Sequence, residues 1–470
     1  MKIMELDMTK GRPLPIILQF TVPLMIGNVF QQLYNMADTI IVGRYVGAGA
    51  LAAVGSTGTI MFLITGFSQG ITSGFTVLTS QRYGAGDKKA VKRSVANGIL
   101  LSVLTALFLT VSGLLSMEGL LKLMNTPEDI YTDACTYITI ISAGISANIF
   151  YNLFSAYLRA VGNSQVPLFF LVLSACLNVV LDLVFIIWFG MGVAGAAWAT
   201  NLSQAVSALL CVIYIFRKVP VLKPEKEHWR LHRGDSRIQL SVGIPMAFQF
   251  AITASGTMIM QAAINLFGSE AVAAYTAAGK LQNLVTQGMV AMGQTMATYG
   301  GQNYGKGDLV RIRSGVRAAL LAETVYSLAA AAAVCLLLKP SLGLFFSGET
   351  DLESMMPWAR TYITMCAVFF IPLSTIFIFR NIMQGCGCGF LPMMGGVVEL
   401  GARLLAAAAS MKLLSYPLAC ACDPAAWLSA GLFTGIAYLH VMKDLERKMG
   451  GSLSQPVEIC DRITLRHPSR

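Results

Sequence analysis

Long apolar runs recur along the whole 470-residue chain, and they constrain its fold more than any other feature. Each run exceeds about 20 residues, which is enough for a helix to cross the hydrocarbon core of a bilayer. Hydrophobic residues make up 55% of the chain and charged residues 12%. That charged share is about half of the roughly 25% found in soluble proteins. The sequence therefore predicts an all-α polytopic membrane protein.

The connecting loops carry charge that orients these runs in a membrane. We place twelve transmembrane helices at residues 14–42, 51–80, 95–117, 131–158, 166–189, 192–216, 238–266, 271–300, 316–338, 357–383, 390–414 and 424–442. Basic residues gather after spans 2, 6 and 8, so both termini are expected in the cytoplasm of a multi-pass plasma-membrane protein. Residues 1–12 lack the features of a cleavable signal peptide, and the first span is expected to direct insertion.

The sequence also contains an internal repeat. Residues 81–87 (QRYGAGD) return as residues 302–308 (QNYGKGD), identical at five of seven positions, and Pro23 returns as Pro245. Likeness at a nearly constant spacing indicates duplication. Each half has six spans, so we predict two parallel six-helix repeats around a central cleft, an architecture suited to alternating access. The predicted divisions are a bundle at 1–216, a cytoplasmic linker at 217–237, a second bundle at 238–448 and a cytoplasmic tail at 449–470.

The repeated motif predicts a structural turn rather than a nucleotide-binding loop. It follows an apolar helix instead of a strand, and it lacks the full glycine fingerprint of such loops. We expect its glycines to turn the chain tightly, and Asp87 and Asp308 to cap the helices that follow.

One polar face in the first span is the first candidate for a functional site. A carboxylate such as Asp38 costs about 2.5–3.5 kcal/mol at the centre of a membrane helix. Gln31, Tyr34 (or Asn35) and Asp38 follow a helical spacing and share one face. That face is expected to look into a protein interior or a water-filled cavity.

A second set of polar residues can join Asp38. Asn178 and Asp182 lie four residues apart on span 5, and Thr200 lies on span 6. If spans 1, 5 and 6 line one bundle, two carboxyl groups meet where both cannot easily ionise. Such a pair can exchange a proton or hold a sodium ion, although a hydrogen-bonded structural knot is the alternative.

The second half does not copy this chemistry. The repeat places Ile259 or Met260 opposite Asp38, and it places Arg403 opposite Asn178. Glu399 and Arg403 can form an ion pair one helical turn apart, which favours a structural role. The roles of Lys280 and Glu323, structural or in transport, stay open. Pro23 and Pro245 are expected to bend spans 1 and 7, for gating or for packing.

Other classes of protein fit the sequence poorly. The net charge of +10 is confined to particular loops, which favours membrane orientation over nucleic-acid binding. Nine of the ten cysteines lie in apolar spans or in CxC pairs with no nearby histidine, so neither a metal centre nor disulfides are expected. The four histidines lie in loops or at span ends, which disfavours an enzyme.

Several motifs together resemble the multidrug and toxic compound extrusion (MATE) family, of the MOP superfamily. The likeness runs from Leu14 to about Lys448, and its carriers are the duplicated halves, the Pro23 region, YNMAD at 34–38, the two turns, LRAVGN at 158–163, NVVLD at 178–182 and ELGAR at 399–403. The resemblance implies a secondary antiporter that expels organic, often cationic, compounds in exchange for H⁺ or Na⁺, with no other cofactor. It also implies small organic molecules and membrane lipids as partners, and we expect a monomer.

The resemblance also assigns residues. In the branch typified by DNA-damage-inducible protein F and its archaeal relatives, the amino-terminal half carries coupling and drug contacts. By that likeness the coupling residues are Asp38, Asn178, Asp182 and Thr200, the substrate residues are Gln31, Tyr34 and Asp38, and Pro23 serves gating. Asp38 and Asp182 would be metal ligands if the ion is Na⁺. The other branch of the family has carboxylates on spans 7 and 10. This sequence has Thr253 and Leu373 near those positions, so a carboxylate site is not expected there. The alternative is a lipid-linked saccharide flippase, although that group has longer chains and a more basic cavity.

Overall fold

The computed structural model describes residues 6–124, 126–343 and 349–449. These residues form α-helices, one π-helical segment and two short 3₁₀ turns, and they contain no strand. The predicted all-α polytopic class is therefore confirmed. The predicted tail at 449–470 lies, after its first residue, outside the described residues.

The helices follow the predicted spans. In the first half they are α1 (Pro13–Tyr45), α2 (Ala48–Ser56), α3 (Gly58–Gly84), α4 (Lys88–Leu123), α5 (Glu128–Ala143), α6 (Ile145–Ala160), α7 (Gln165–Leu183) and α8 (Gly192–Lys218), with the π-helical segment Val184–Trp188 after α7. In the second half they are α9 (Arg233–Asn265), α10 (Ser269–Gly305), α11 (Leu309–Leu342), α12 (Glu349–Val368), α13 (Phe370–Gly385), α14 (Phe390–Leu413), α15 (Tyr416–Cys420) and α16 (Cys422–Met449).

Most of these helices are long and apolar enough to cross a membrane. Nine pass by length and composition among the described residues, and two bent pairs bring the number to eleven. The pairs are α5 with α6, bent by 46°, and α12 with α13, bent by 50°. The remaining predicted span, residues 271–300, falls on α10, which is not among these eleven, so the number of twelve spans stays a prediction.

The bend between α5 and α6 has a physical cause at Gly144. The side-chain amide of Asn201, on α8, donates a hydrogen bond of 2.6 Å to the carbonyl of Ile140. A Cβ at position 144 would lie 2.1 Å from that same amide. Glycine therefore lets a polar side chain enter the bend and bind a backbone carbonyl there, a recognised origin of helix kinks.

Close packing divides the chain into two units. Unit 1 comprises Met1–Asp7 and Ile26–Phe250, and unit 2 comprises Met8–Met25 and Ala251–Arg470. Both α1 and α9 therefore contribute residues to each unit. The predicted bundle boundaries at 216 and 238 stay a prediction.

Polar contacts hold the first turns of α9 within unit 1. Asp235 accepts hydrogen bonds from the guanidinium groups of Arg82 and Arg93. Gln239 is fully buried, and its amide donates to two backbone carbonyls of α3 and α4 while accepting from Asn97. Satisfied polar networks of this kind specify one arrangement of buried helices.

The two repeated turns have the predicted cap. The Asp87 carboxylate accepts from the backbone N–H of Ala90 at 3.0 Å, and the Asp308 carboxylate accepts from that of Arg311 at 2.8 Å. Each aspartate thus binds one of the free N–H groups at a helix start. Within unit 2, this motif has a further contact: the Gln302 side chain accepts a hydrogen bond from the N–H of Met8.

Glycines bring α3 and α9 into direct backbone contact inside unit 1. A Cβ added at Gly74 would lie 2.3 Å from Cα of Gly243, and one at Gly70 would lie 2.6 Å from the carbonyl oxygen of Met246. Small residues four apart permit such close packing between membrane helices. The close contact between α3 and α9 in unit 1 therefore depends on these glycines, whose side chains are single hydrogen atoms.

We expect Gly74→Ala to destabilise the protein, because the new methyl group must push α3 and α9 apart. Overpacking of this kind costs about 1–3 kcal/mol. Unfolding of the purified protein in detergent measures the loss. Gly279→Ala on α10 is the matched control, since a Cβ there meets nothing within 4 Å. Equal stability of both variants would contradict the prediction.

Candidate functional site

Unit 1 brings together the four residues that the sequence predicts for a cation site. Asp38 comes from α1, Asn178 and Asp182 from α7, and Thr200 from α8. Asn178 and Asp182 are almost fully buried, with 1% and 0% of their surface exposed, and Asp38 is half-buried. Three helices therefore supply one polar cluster in unit 1.

The local course of α7 places the pair. Asn178 and Asp182 are one turn apart and point to the same side of the helix. The π-helical segment then begins at Val184, two residues beyond Asp182. Wider turns of this kind occur mostly as single insertions in α-helices, often at functional sites.

Hydrogen bonds organise the cluster. With the Asn178 amide oriented to suit its neighbours, its nitrogen donates to Oδ2 of Asp182 at 3.1 Å and its oxygen accepts from the backbone N–H of Thr200 at 3.2 Å. The Asp182 and Asp38 carboxyl groups lie within hydrogen-bonding reach of each other. The Oδ1 atom of each carboxyl group is buried without a hydrogen-bond partner among the described residues.

Among the described residues of unit 1, no basic side chain acts on this carboxyl pair. The two carboxyl groups interact with the phenols of Tyr34 and Tyr137. Two adjacent buried carboxylates repel each other strongly in a medium of low dielectric constant. A proton or a cation between two such carboxylates removes this repulsion.

Two tyrosines complete the cluster, and sequence reasoning identified one of them. Tyr34, predicted as a substrate residue, hydrogen-bonds to Thr200 and interacts with both carboxyl groups. Tyr137 lies on α5 with 5% of its surface exposed, and it interacts with Asp38, Asp182 and Tyr34. It belongs to a stretch, TYIT, that recurs in the second half. That repeat was the signal in the sequence that could have pointed to it.

Gln31 and Pro23 are the other residues predicted to function in the first span. The Gln31 side chain is exposed and makes no hydrogen bond with another described residue. Pro23 lies inside the continuous helix α1, in the part that belongs to unit 2. Proline there removes one backbone hydrogen bond. The predicted bend at Pro23 and its gating role stay predictions.

The charged residues predicted in the second half lie in unit 2. Arg403 and Glu399 form the predicted ion pair, with 2.9 Å between guanidinium and carboxylate. Glu323 is buried on α11, and its Oε2 has no hydrogen-bond partner in the described chain. Lys280 is exposed on α10. The structural or transport roles of these four residues stay predictions.

The chain matches a known family twice over its length. The family described as MatE matches residues 23–184 and again residues 245–407. The two matches confirm the duplication inferred from the repeated turns. They cover more than half of the chain, so this protein belongs to the MATE family and is a multi-pass membrane transporter.

Individual relatives agree with this assignment. The chain is 32% identical over 308 residues to a probable multidrug resistance protein, YpnP, of Bacillus subtilis (strain 168), covering 65% of this chain and 68% of that protein. It is 26% identical over 348 residues to a probable multidrug resistance protein, NorM, of Thermotoga maritima, covering 72% of this chain and 73% of that one.

A solved structure shows the same fold. It is the outward-facing conformation of a multidrug resistance MATE family transporter of the MOP superfamily, with a TM-score of 0.85 and 23% identity. The match covers 94% of this chain and 99% of that one.

We expect Asn178→Leu to lower stability by about 2 kcal/mol, because a hydrogen bond to a charged group contributes about 1.5–3 kcal/mol. Leucine keeps the size of the side chain but leaves Asp182 without its amide donor. Unfolding in detergent tests this. Ser174→Ala, one turn earlier on α7, removes a neutral hydrogen bond of 3.0 Å to a carbonyl and should cost about 1 kcal/mol. A smaller loss for Asn178→Leu than for Ser174→Ala would contradict the assignment.

Proposed function

We propose that this protein is a secondary antiporter that exports organic, often cationic, compounds in exchange for H⁺ or Na⁺. The observation that carries the proposal is the pair of buried carboxyl groups, Asp38 and Asp182, within reach of each other and without a basic partner in the described part of unit 1. The names of the relatives as multidrug resistance proteins support the choice of substrate.

The cation binds between Asp38 and Asp182 in this mechanism. A proton can sit between the two carboxyl groups, or Na⁺ can take both carboxylates as ligands. The two Oδ1 atoms without partners supply free acceptor sites, and Thr200 and Asn178 hold the carboxyl groups in place. Either cation removes the repulsion between adjacent carboxylates.

A cationic substrate competes for the same charge. Tyr34 and Asp38 lie one turn apart on α1, so an aromatic ring and a carboxylate face a substrate together. Gln31, one further turn away, offers an exposed amide on that face. Substrate and coupling cation neutralise the same pair, so the binding of one releases the other. Flexing of α1 at Pro23 links this exchange to alternating access.

The setting of this activity follows from the charge pattern. The protein lies in the plasma membrane with both termini in the cytoplasm, because its basic loops favour that side. It acts as a monomer, with small organic substrates and membrane lipids as its partners.

We expect Asp38→Asn to abolish ion-driven efflux of a cationic dye such as ethidium, because one carboxylate alone cannot couple the exchange. The measurement is dye transport by purified protein in liposomes under an imposed ion gradient. Asp87→Asn is the matched control: it makes the same chemical change in unit 1, and asparagine also caps helices well. Normal gradient-driven transport by Asp38→Asn would refute the proposed site.

The coupling ion is identified in the same liposomes. A pH gradient without sodium, and a sodium gradient at equal pH, are imposed in turn. We expect one of them to drive dye transport by the wild-type protein and neither to drive it in the Asp182→Asn variant. Transport of dye that ignores both gradients would contradict antiport. Movement of lipid-linked saccharide in place of dye would favour a flippase.

A further inference from the structure

Unit 2 contains its own pair of buried carboxylates, and these are fully paired with arginines. The Glu399 carboxylate lies 2.9 Å from the guanidinium group of Arg403 and 3.1 Å from that of Arg380. The Asp423 carboxylate lies 3.0 Å from Nε of Arg403. All four side chains are at least nine-tenths buried. Arg403 therefore bridges two carboxylates in the interior of the unit.

The internal repeat relates this arginine bridge to the carboxyl pair of unit 1. Arg403 on α14 corresponds to Asn178 on α7, the residue that holds Asp182 in unit 1. Each unit thus carries two acidic side chains near the corresponding positions 178 and 403, although the helices that supply them differ: α1 and α7 in unit 1, α14 and α16 in unit 2. In unit 1 nothing on the described chain neutralises the acids, whereas in unit 2 an arginine lies between them.

The surrounding backbone fits the arginine closely. Gly256, in the part of α9 that belongs to unit 2, faces it, and a Cβ there would lie 2.7 Å from Nη1 and 3.1 Å from Cδ of Arg403. Any larger residue would displace the guanidinium group. The other ionisable groups that face Asp423 in the described part of the chain are phenols and thiols, which carry no charge near neutral pH. They are Tyr275, Tyr362, Cys366, Cys420 and Cys422.

We propose that Glu399 and Asp423 form a cation-binding site in unit 2 that is permanently occupied by the tethered cation of Arg403. The cluster has two guanidinium groups and two carboxylates, so its net charge is zero and it takes up no ion. Removing the Arg403 charge leaves one excess negative charge in the membrane interior. Such a charge is expensive unless a cation pairs with it. The vacated site then binds a monovalent cation or a proton.

One consequence concerns the number of ions moved per cycle, and it rests on the proposed function. Unit 1 exchanges its cation with the medium and unit 2 cannot, so the protein has one exchangeable site at this repeat position instead of two. The occupied site itself can be tested without any transport assay.

The test compares cation-dependent stability in one background. In Asp38→Asn protein, which lacks the carboxyl pair of unit 1, Arg403→Met is added, and unfolding in detergent is followed as Na⁺ or Li⁺ replaces N-methyl-D-glucamine at constant ionic strength. At a cation concentration 100 times Kd, the ratio of folded to unfolded protein should rise about 100-fold. The same titration with acid covers a site that takes a proton.

Two controls fix the interpretation. The Asp38→Asn parent retains Arg403 and should show no such rise. Adding Asp423→Asn to Arg403→Met restores a net charge of zero and should abolish the cation dependence. A stability of Arg403→Met that responds to neither cations nor acid, or that responds as the parent does, would overturn the proposal.

Failure of Arg403→Met to accumulate would also decide the matter. The excess charge would then be the cause, so that removing one carboxylate, as Asp423→Asn or Glu399→Gln, should restore the yield of folded protein. Equally low yields of these double variants would show that Arg403 acts through its size and not its charge. None of these results depends on ion-driven transport, so they stand whether or not the proposed antiport is correct.

Discussion

The cost of an unpaired charge inside a membrane protein governs the arrangement of this molecule. Each unit contains a pair of neighbouring carboxyl groups among apolar helices, where a lone charge is unstable. Unit 2 neutralises its pair with Arg403 and Arg380. Unit 1 has no basic side chain acting on Asp38 and Asp182 among its described residues, and under the proposed function an ion neutralises them. The two halves of the duplicated fold therefore differ in how the charges of their carboxyl pairs are compensated.

Glycines set how closely helices and polar side chains approach one another within each unit. Glycines at Gly70 and Gly74 let α3 and α9 touch, and Gly144 admits the Asn201 amide to the carbonyl of Ile140. Gly256 leaves room for the guanidinium group of Arg403 in unit 2. Because interhelical attraction in lipid depends on close packing and hydrogen bonds, small residues decide how near polar groups from different helices can come.

Much of the fold and part of the site could be predicted from the sequence. Helical spacing put Asn178 with Asp182, and Glu399 with Arg403, because residues four apart share a helix face. The glycine-aspartate turns indicated their own caps at Asp87 and Asp308. Arg380 and Asp423, which lie on other helices, could not be predicted as members, because no sequence spacing relates them to the residues they meet, and Tyr137 was marked only by its place in the repeated TYIT stretch. The bends at Gly144 and Phe369 could not be predicted either, because the apolar runs of the sequence continue through both positions.

The sequence by itself determined the class of protein, the duplication and the asymmetry of charge between the halves. These follow from chain-local properties: run length, repeat spacing and residue identity. Only the tertiary structure decided which buried charges are compensated. Compensation depends on distances across helices, such as the 3.0 Å between Arg403 and Asp423. A buried carboxylate is tolerated when a neighbouring helix brings a basic group within reach, and it costs free energy when none does.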